Sequence, residues 1–473
     1  DSDQKRRWYG ADRVDMAKPW RLEVYLTQRE FPHPVLKHEL AHVFAAVFGD
    51  RVFGVSFRWK LALGFFPVPA WNPGLVEGAA VAADWAPRGG LTPHEWAAAM
   101  VRLGKAPPLG AVMGYGFFGS ASSQAYTAAG SFSRYLVDRH GPGSFRALYR
   151  SGGDFRAAYG RGLDELEAGW RRFLGSVPLG ERELALARER FRQRPVFSRP
   201  CAHEVARLER EAARSLALGE ARVAAGTFRR LCRIDPGDPD HLFGLVVAWM
   251  RAGREEAALS AARELWQHPA ATPPLRAQLL SYVGTDAWRR GELDRARRLY
   301  SEAEAMPIPL GMGRDLTVRR LALGDARLGS LLRPLLVPRE EDHSPEESWE
   351  RLERELPGHG LVRYLVGSYR LSQGDWVRAA ANLEAALALE LPDERFWREA
   401  LLRLGRARFR AGAFGAARET FSRLDVPAES EAVRLEARDW MERCDFFARY
   451  GAALGLRVQV GAAQPAQGQG EGP

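Results

Sequence analysis

The chain has 473 residues, 46% hydrophobic, 10% aromatic and 27% charged, the profile of a globular protein rather than a disordered or fibrous one. Three cysteines exclude a disulfide-built scaffold, so stability has to come from buried apolar cores. The 68 basic residues exceed the 59 acidic ones by 9, but only five are lysines; this points to coding bias in a GC-rich genome, and without a basic tract, aromatic platform or lysine cluster nucleic acid is not an expected partner.

No run of 18 or more apolar residues occurs, so no membrane-spanning segment is expected. Residue 1 is Asp rather than Met, and no charged-then-apolar leader precedes the first elements. A signal or membrane anchor upstream is therefore expected, with the cell envelope as the compartment.

In chain order, Arg21–Thr27 (RLEVYLT) alternates apolar and polar residues and reads as a strand, as does Val52–Trp59 (VFGVSFRW). Between them Pro32 and Pro34 introduce VLKHELAHVFAAVFG, an apolar-periodic helix with Gly49 at its end. Further helices are expected at 74–86, 92–103, 124–140 and 163–174. The intervening GAVMGYGFFG, with Gly110, Gly114, Gly116 and Gly119, suggests a mobile loop. Residues 176–200 read as a charged linker helix and a proline-containing hinge, and 453–473 as a disordered Gly/Gln/Ala/Pro-rich tail.

Residues 201–452 change character to Ala/Leu/Arg-rich helices divided by short Gly, Pro and Asp turns. Turn glycines fall at Gly219, Gly253, Gly291, Gly374 and Gly412. Five residues after each comes Ala224, Ala258, Ala296, Ala379 or Ala417, and nine after each comes Phe228, Ala262, Tyr300, Leu383 or Phe421. Positions four apart share a helix face, so a small residue admits the neighbouring helix and a larger one usually fills the groove beside it. Spacings of 34 and 38 residues between adjacent copies fit helix-turn-helix repeats of the tetratricopeptide kind, an elongated solenoid with a surface for a protein partner. Gly324 with Gly329 reads as a degraded copy, with Arg333 where the apolar residue belongs.

The chemistry concentrates in His38-Glu39-Leu40-Ala41-His42. Residues i and i+4 of a helix lie one turn apart on one face, so both imidazoles can reach one Zn²⁺, while Glu39 beside the first is placed to take a proton from water rather than bind the metal. Burying two histidines and a glutamate uncompensated in an otherwise apolar helix is expensive. A structural zinc site commonly uses cysteine, and none precedes residue 201; three His, Asp or Glu ligands with a position left for water is the catalytic pattern. Glu77 in LVEGAAVAADW offers the third ligand, and Asp84, about two turns later, could support one.

This motif, followed after about 35 residues by a helix that begins Glu77-Gly78, resembles the gluzincin metallopeptidases, in particular peptidase MA-like domains joined to tetratricopeptide repeats. The segment Phe132–Gly141 (FSRYLVDRHG) and the later Glu167-Ala168-Gly169-Trp170 are similar to the closing part of those domains. The resemblance covers roughly residues 20–175. It implies an α+β zincin-like domain holding one Zn²⁺ per chain on His38, His42 and Glu77, with Glu39 as general base, hydrolysing a protein or peptide substrate. The lead-in WNPGLVEG displaces Trp71 from the family pattern, and the G-x-M-E-N segment of related aminopeptidases is absent, which disfavours an aminopeptidase.

An oxyanion donor is expected from Tyr126, with Tyr115 as the second choice; either tyrosine also reads as an ordinary packing residue. His94-Glu95 and His203-Glu204 imitate half of the motif but carry Ala98 and Arg207 where the second histidine belongs. His140, before Gly141-Pro142, reads as a helix-end cap. Cys201 and Cys232 are expected at one end of a helical hairpin, where they could pair, and Cys444 is expected free and buried. The expected organisation is a peptidase domain at 1–175, the linker at 176–200 and a TPR-like solenoid at 201–452. The first 175 residues hold 22 basic and 16 acidic residues against 46 and 43 in the rest, an excess expected to favour acidic substrates or an anionic membrane surface. The alternative reading is a catalytically inactive peptidase-fold scaffold that acts through its repeats.

Overall fold

A computed structural model describes residues 15–27, 31–62, 66–192, 202–338, 342 and 344–455. Contacts divide the chain into two units, Asp1–Arg276 and Ala277–Pro473. Among the described residues no helix is long and apolar enough to cross a membrane.

The first unit opens with two short antiparallel strands, β1 (Met16–Lys18) and β2 (Glu23–Tyr25), in the register Met16↔Tyr25. Helix α1 (Leu36–Ala46) carries the histidine motif. A second antiparallel pair, β3 (Phe57–Ala62) and β4 (Phe66–Trp71), begins at Phe57↔Trp71. The β component of the expected α+β domain is limited, among the described residues, to these two ladders. The strand expected from Val52 starts only at Phe57, because the Asp50 carboxylate accepts the N–H groups of Val52 (2.8 Å) and Phe53 (3.0 Å) and Gly54 takes φ +62°. An aspartate that bonds its own following backbone and a left-handed glycine make a turn, whatever the alternation of side chains suggests.

Helices dominate from Pro73 onward: α2 (Pro73–Asp84), α3 (Pro93–Arg102), α4 (Leu109–Val112), α5 (Ser122–His140), α6 (Pro142–Arg150), α7 (Phe155–Tyr159), α8 (Leu163–Ser176) and α9 (Glu181–Arg190). Their starts are written in sequence. Asn72 accepts the Leu75 N–H at 2.9 Å ahead of Pro73, and Thr92 and Glu95 form a reciprocal capping box ahead of Pro93. The core joins Leu75, Trp96, Met100, Phe132, Leu136 and Trp170, the last donating its indole N–H to Ser131 at 3.0 Å. The glycine-rich 110–119 segment is a pair of short helical turns anchored by buried Leu109, Val112, Met113 and Phe117, rather than an open loop. Four apolar anchors at near-helical spacing outweigh the four glycines.

Helix α9, placed in the linker by the sequence, packs Leu186 and Ala187 into the same core, followed by Phe191. Its end is tied to the first repeats: Arg192 bonds Asp238 and Asp240, each at 2.6 Å, and Glu189 at 3.2 Å, while Thr272 donates to Glu189.

Repeat helices run from Ala202 to Tyr450. All five turn glycines adopt φ between +68° and +83°, a conformation open to glycine at no steric cost. The alanines five residues on are all buried, and the positions nine residues on are buried or half-buried. A further regularity joins them. Gly284, Gly367 and Gly405, each seven residues before its turn glycine, face Tyr300, Leu383 and Phe421, and a Cβ added to any of them falls within 2.9 Å of that side chain. Gly324 is not left-handed in the degraded copy, and Arg333 turns to Asp342 instead of filling a groove. Cys232 is a free thiol, not half of a disulfide; Cys201 lies outside the described residues, as does the tail from 456. Cys444 is free and buried.

Candidate metal centre

Helix α1 inverts the usual preference: its buried residues are Glu39 and His42, while Phe44 is 67% exposed and Val47, just past its end, 72%. The polar face, rather than the apolar one, is turned into the protein. One turn apart, His38 Nε2 and His42 Nε2 lie 3.2 Å from each other. Glu77, on the second turn of α2, brings Oε2 to 3.2 Å from His38 Nε2 and 3.4 Å from His42 Nε2. Among the described residues, no other three His, Cys, Asp or Glu side chains converge in this way. Tetrahedral ligands bound at about 2.0–2.1 Å stand about 3.3–3.4 Å from one another. The observed triangle therefore fits the nitrogen and oxygen donors of a zinc site.

The position of Glu77 depends on how closely α2 crosses α5. A Cβ on Gly78 would fall 2.5 Å from Ser133 Oγ and 2.7 Å from the Ala129 carbonyl oxygen, and one on Gly130 would fall 2.2 Å from Val81 Cγ1. Glycine on both helices lets the backbones approach and sets the carboxylate against α1.

The charges are arranged to match. Burial works against ionisation of Glu77, but hydrogen bonds with His38 and His42 outweigh it and hold the carboxyl down to about 2. Glu39 goes the other way: burial pushes it up, with His42, His38 and the Ala17 backbone opposing and Glu77 adding to the rise. Two carboxyls in one site are thus separated, one held ionised and one made more basic.

Tyr126, on the second turn of α5, is brought to the site, its ring centroid 6.3 Å from that of His38. Burial and the nearby carboxylates of Glu77 and Glu39 raise its phenol, so its proton is firmly held. The Tyr115 hydroxyl accepts the Trp71 N–H at 3.4 Å, at the end of β4. Asp84 sits near His38, but its hydrogen bond goes to Arg88 at 3.5 Å rather than to a ligand, and burial raises its carboxyl. His94 is half-buried, bonded to Ser131 at 2.9 Å and wedged between Trp85 and Phe173. Glu204 pairs with Arg207 and Arg230 on an exposed helix start. His140, at the end of α5, packs its ring near Tyr159.

Beside the histidines lies a cavity of about 350 Å³. His38, Glu39 and Tyr126 line it together with Val81, Pro93 and Trp96, and its remaining charged wall is Asp84, Arg88 and Arg190. Reasoning from sequence missed the part that Gly78 and Gly130 play in the helix crossing, and it missed Arg190. The first two leave a trace, since both stand in helices otherwise rich in alanine. Arg190 leaves none, because nothing local distinguishes it from the other arginines of a charged helix.

Residues 210–273 and 364–432 match the tetratricopeptide-repeat family. Among solved structures the chain is similar to the P58(IPK) TPR domain, at 14% identity over 55% of this chain and 74% of that one; the TM-score of 0.21 is too low to carry an argument. No curated protein matches the chain. The second part is thus a tetratricopeptide-like helical-repeat region, of a kind that generally mediates protein–protein interaction.

Proposed function

We propose that the chain is a zinc-dependent peptidase of the gluzincin kind whose helical repeats engage a protein partner or substrate. The observation that carries the reading is the triangle of His38, His42 and Glu77, with edges of 3.2, 3.2 and 3.4 Å and with Glu39 buried beside it.

His38, His42 and Glu77 would hold the ion, with Glu77 kept anionic. Zinc, when bound, lowers the pKa of a water to about 7 and polarises a carbonyl. The chain's own residues do the rest. Glu39, more basic than an ordinary carboxylate in its buried position, takes the proton of the attacking water and passes it to the leaving amine. Tyr126 keeps its proton at neutral pH and donates an O–H to the oxyanion that develops on the scissile carbonyl. Val81, Pro93 and Trp96 give the cavity an apolar side against which a substrate side chain can pack.

Elemental analysis should find about one zinc per chain, the stoichiometry of a single three-ligand site. Glu39→Gln should keep the metal and lose hydrolysis of an unstructured protein substrate such as casein, whereas His42→Ala should lose both. Protein purified without chelator that carries no metal at neutral pH would overturn the reading in favour of a scaffold working through its repeats.

A further inference from the structure

We infer that Arg88 and Arg190 make the cavity beside the histidines a carboxylate-recognising subsite, which selects peptides bearing a carboxylate near the bond to be cut. The inference rests on the peptidase reading for its substrate, but not for the site itself.

Both arginines line the cavity that holds His38, Glu39 and Tyr126. Arg190 comes from the end of α9 and Arg88 from the turn after α2, so the chain brings two cations to one wall from distant segments. Their compensation is incomplete. Among the described residues, Asp84 is the one carboxylate bonded to either, at 3.5 Å from Arg88. Arg190 makes no ion pair among the described residues; its guanidinium lies 4.6 Å over the Trp96 ring, and its Nε is buried without a hydrogen-bond partner. Burial and the charge of Arg88 both work against its protonated form. The contrast with Arg192, two residues further on, lies in ion pairing: three carboxylates surround it. A guanidinium backed by an aromatic ring, with no carboxylate paired to it among the described residues and a second cation beside it, is what a planar carboxylate binds in two-point fashion. The apolar residues Val81, Pro93 and Trp96 offer a surface for the stem of the residue that carries it. A side-chain carboxylate and a free C-terminus share this chemistry.

Calorimetric titration separates the two sources and keeps binding apart from turnover. The protein is the full chain as Glu39→Gln, with and without zinc. The probes are three N-acetylated hexapeptides of Ala and Phe with one Gln: the neutral amide, the same amide with Glu for Gln, and the neutral sequence ending in a free carboxylate. At least one carboxylate peptide should bind about tenfold or more tightly than the neutral amide, the scale of a charge-assisted bidentate contact. Preference for the Glu peptide assigns a side chain, and preference for the free acid assigns a C-terminus. Arg190→Gln and Arg88→Gln should each shrink that ratio, and Arg190→Lys should restore part of it, a rescue that misfolding would not produce. Equal binding of all three peptides, or a preference that survives both Gln variants, overturns the subsite. Hydrolysis without charge preference would leave the peptidase and remove the subsite; charge preference without any hydrolysis would do the reverse.

Discussion

Replacing Gly130 with alanine tests whether the helix crossing is what sets the candidate metal site. The new Cβ would lie 2.2 Å from Val81 Cγ1 and 2.6 Å from Val81 Cβ. Because the Cβ itself clashes, no rotamer of Val81 relieves the contact. Carbon atoms rest about 3.5–4.0 Å apart, so α2 and α5 have to separate by about 1 Å. Glu77 lies one turn before Val81 on α2 and moves with it, and a shift of that size is several times the roughly 0.2 Å tolerance of a metal–ligand distance. The stability cost is smaller than the geometric one. Overpacking costs about 1–3 kcal/mol, and the better helix propensity of alanine returns about 1 kcal/mol. Competition against a chromophoric chelator should therefore show zinc affinity about 10- to 100-fold weaker, the range seen when a ligand loses its support, while the metal-free protein melts only slightly lower. Gly78→Ala, blocked by Ser133 and the Ala129 carbonyl, should behave alike. Unchanged zinc affinity together with a raised metal-free Tm would refute the reasoning, since that is what propensity alone produces.

Tyr126→Phe should keep the zinc and leave KM nearly unchanged while kcat falls by about 100-fold, the cost of one oxyanion donor; full activity would make Tyr126 a packing residue. The His94 imidazole is held down to about 4 from 6.5 by burial, so between those values the unfolded chain binds more protons than the folded one. Its contribution is intact above pH 6.5 and is lost as pH falls toward 4, by about 3 kcal/mol in all. Chemical denaturation from pH 7 to 4.5 should show this slope, and His94→Gln should flatten it; parallel curves would contradict the assignment.

What the sequence discloses, and what it hides, divides along the range of the forces involved. His38, Glu39 and His42 are legible because helical periodicity alone brings i and i+4 together, and α2 and α3 because their caps and first-turn prolines are local. The repeats are legible through glycines that need positive φ. The partners of those glycines, Gly284, Gly367 and Gly405, are equally regular, yet only the opposed Tyr300, Leu383 and Phe421 reveal why. The Val52 strand fails because one side chain, Asp50, outbids an alternating pattern. Gly78 and Gly130 need a partner helix to acquire meaning, and Arg190 needs both a cavity and the lack of a carboxylate near it. Neither condition is written within ten residues of the site it governs.

The tie at Arg192 has a consequence for how this protein can be cut and recombined. Two residues separate Arg190, in the cavity wall, from an arginine held by Asp238 and Asp240 of the repeats. A truncation after residue 192 would remove both aspartates and leave Glu189 as the remaining partner, loosening the helix end that carries the wall. The first repeat hairpins are therefore not an interchangeable cassette. A piece that keeps these ties has to run past Thr272 and end outside the helix Pro273–Arg289, and a chimaera with a foreign repeat array should be joined beyond that helix rather than at the apparent linker.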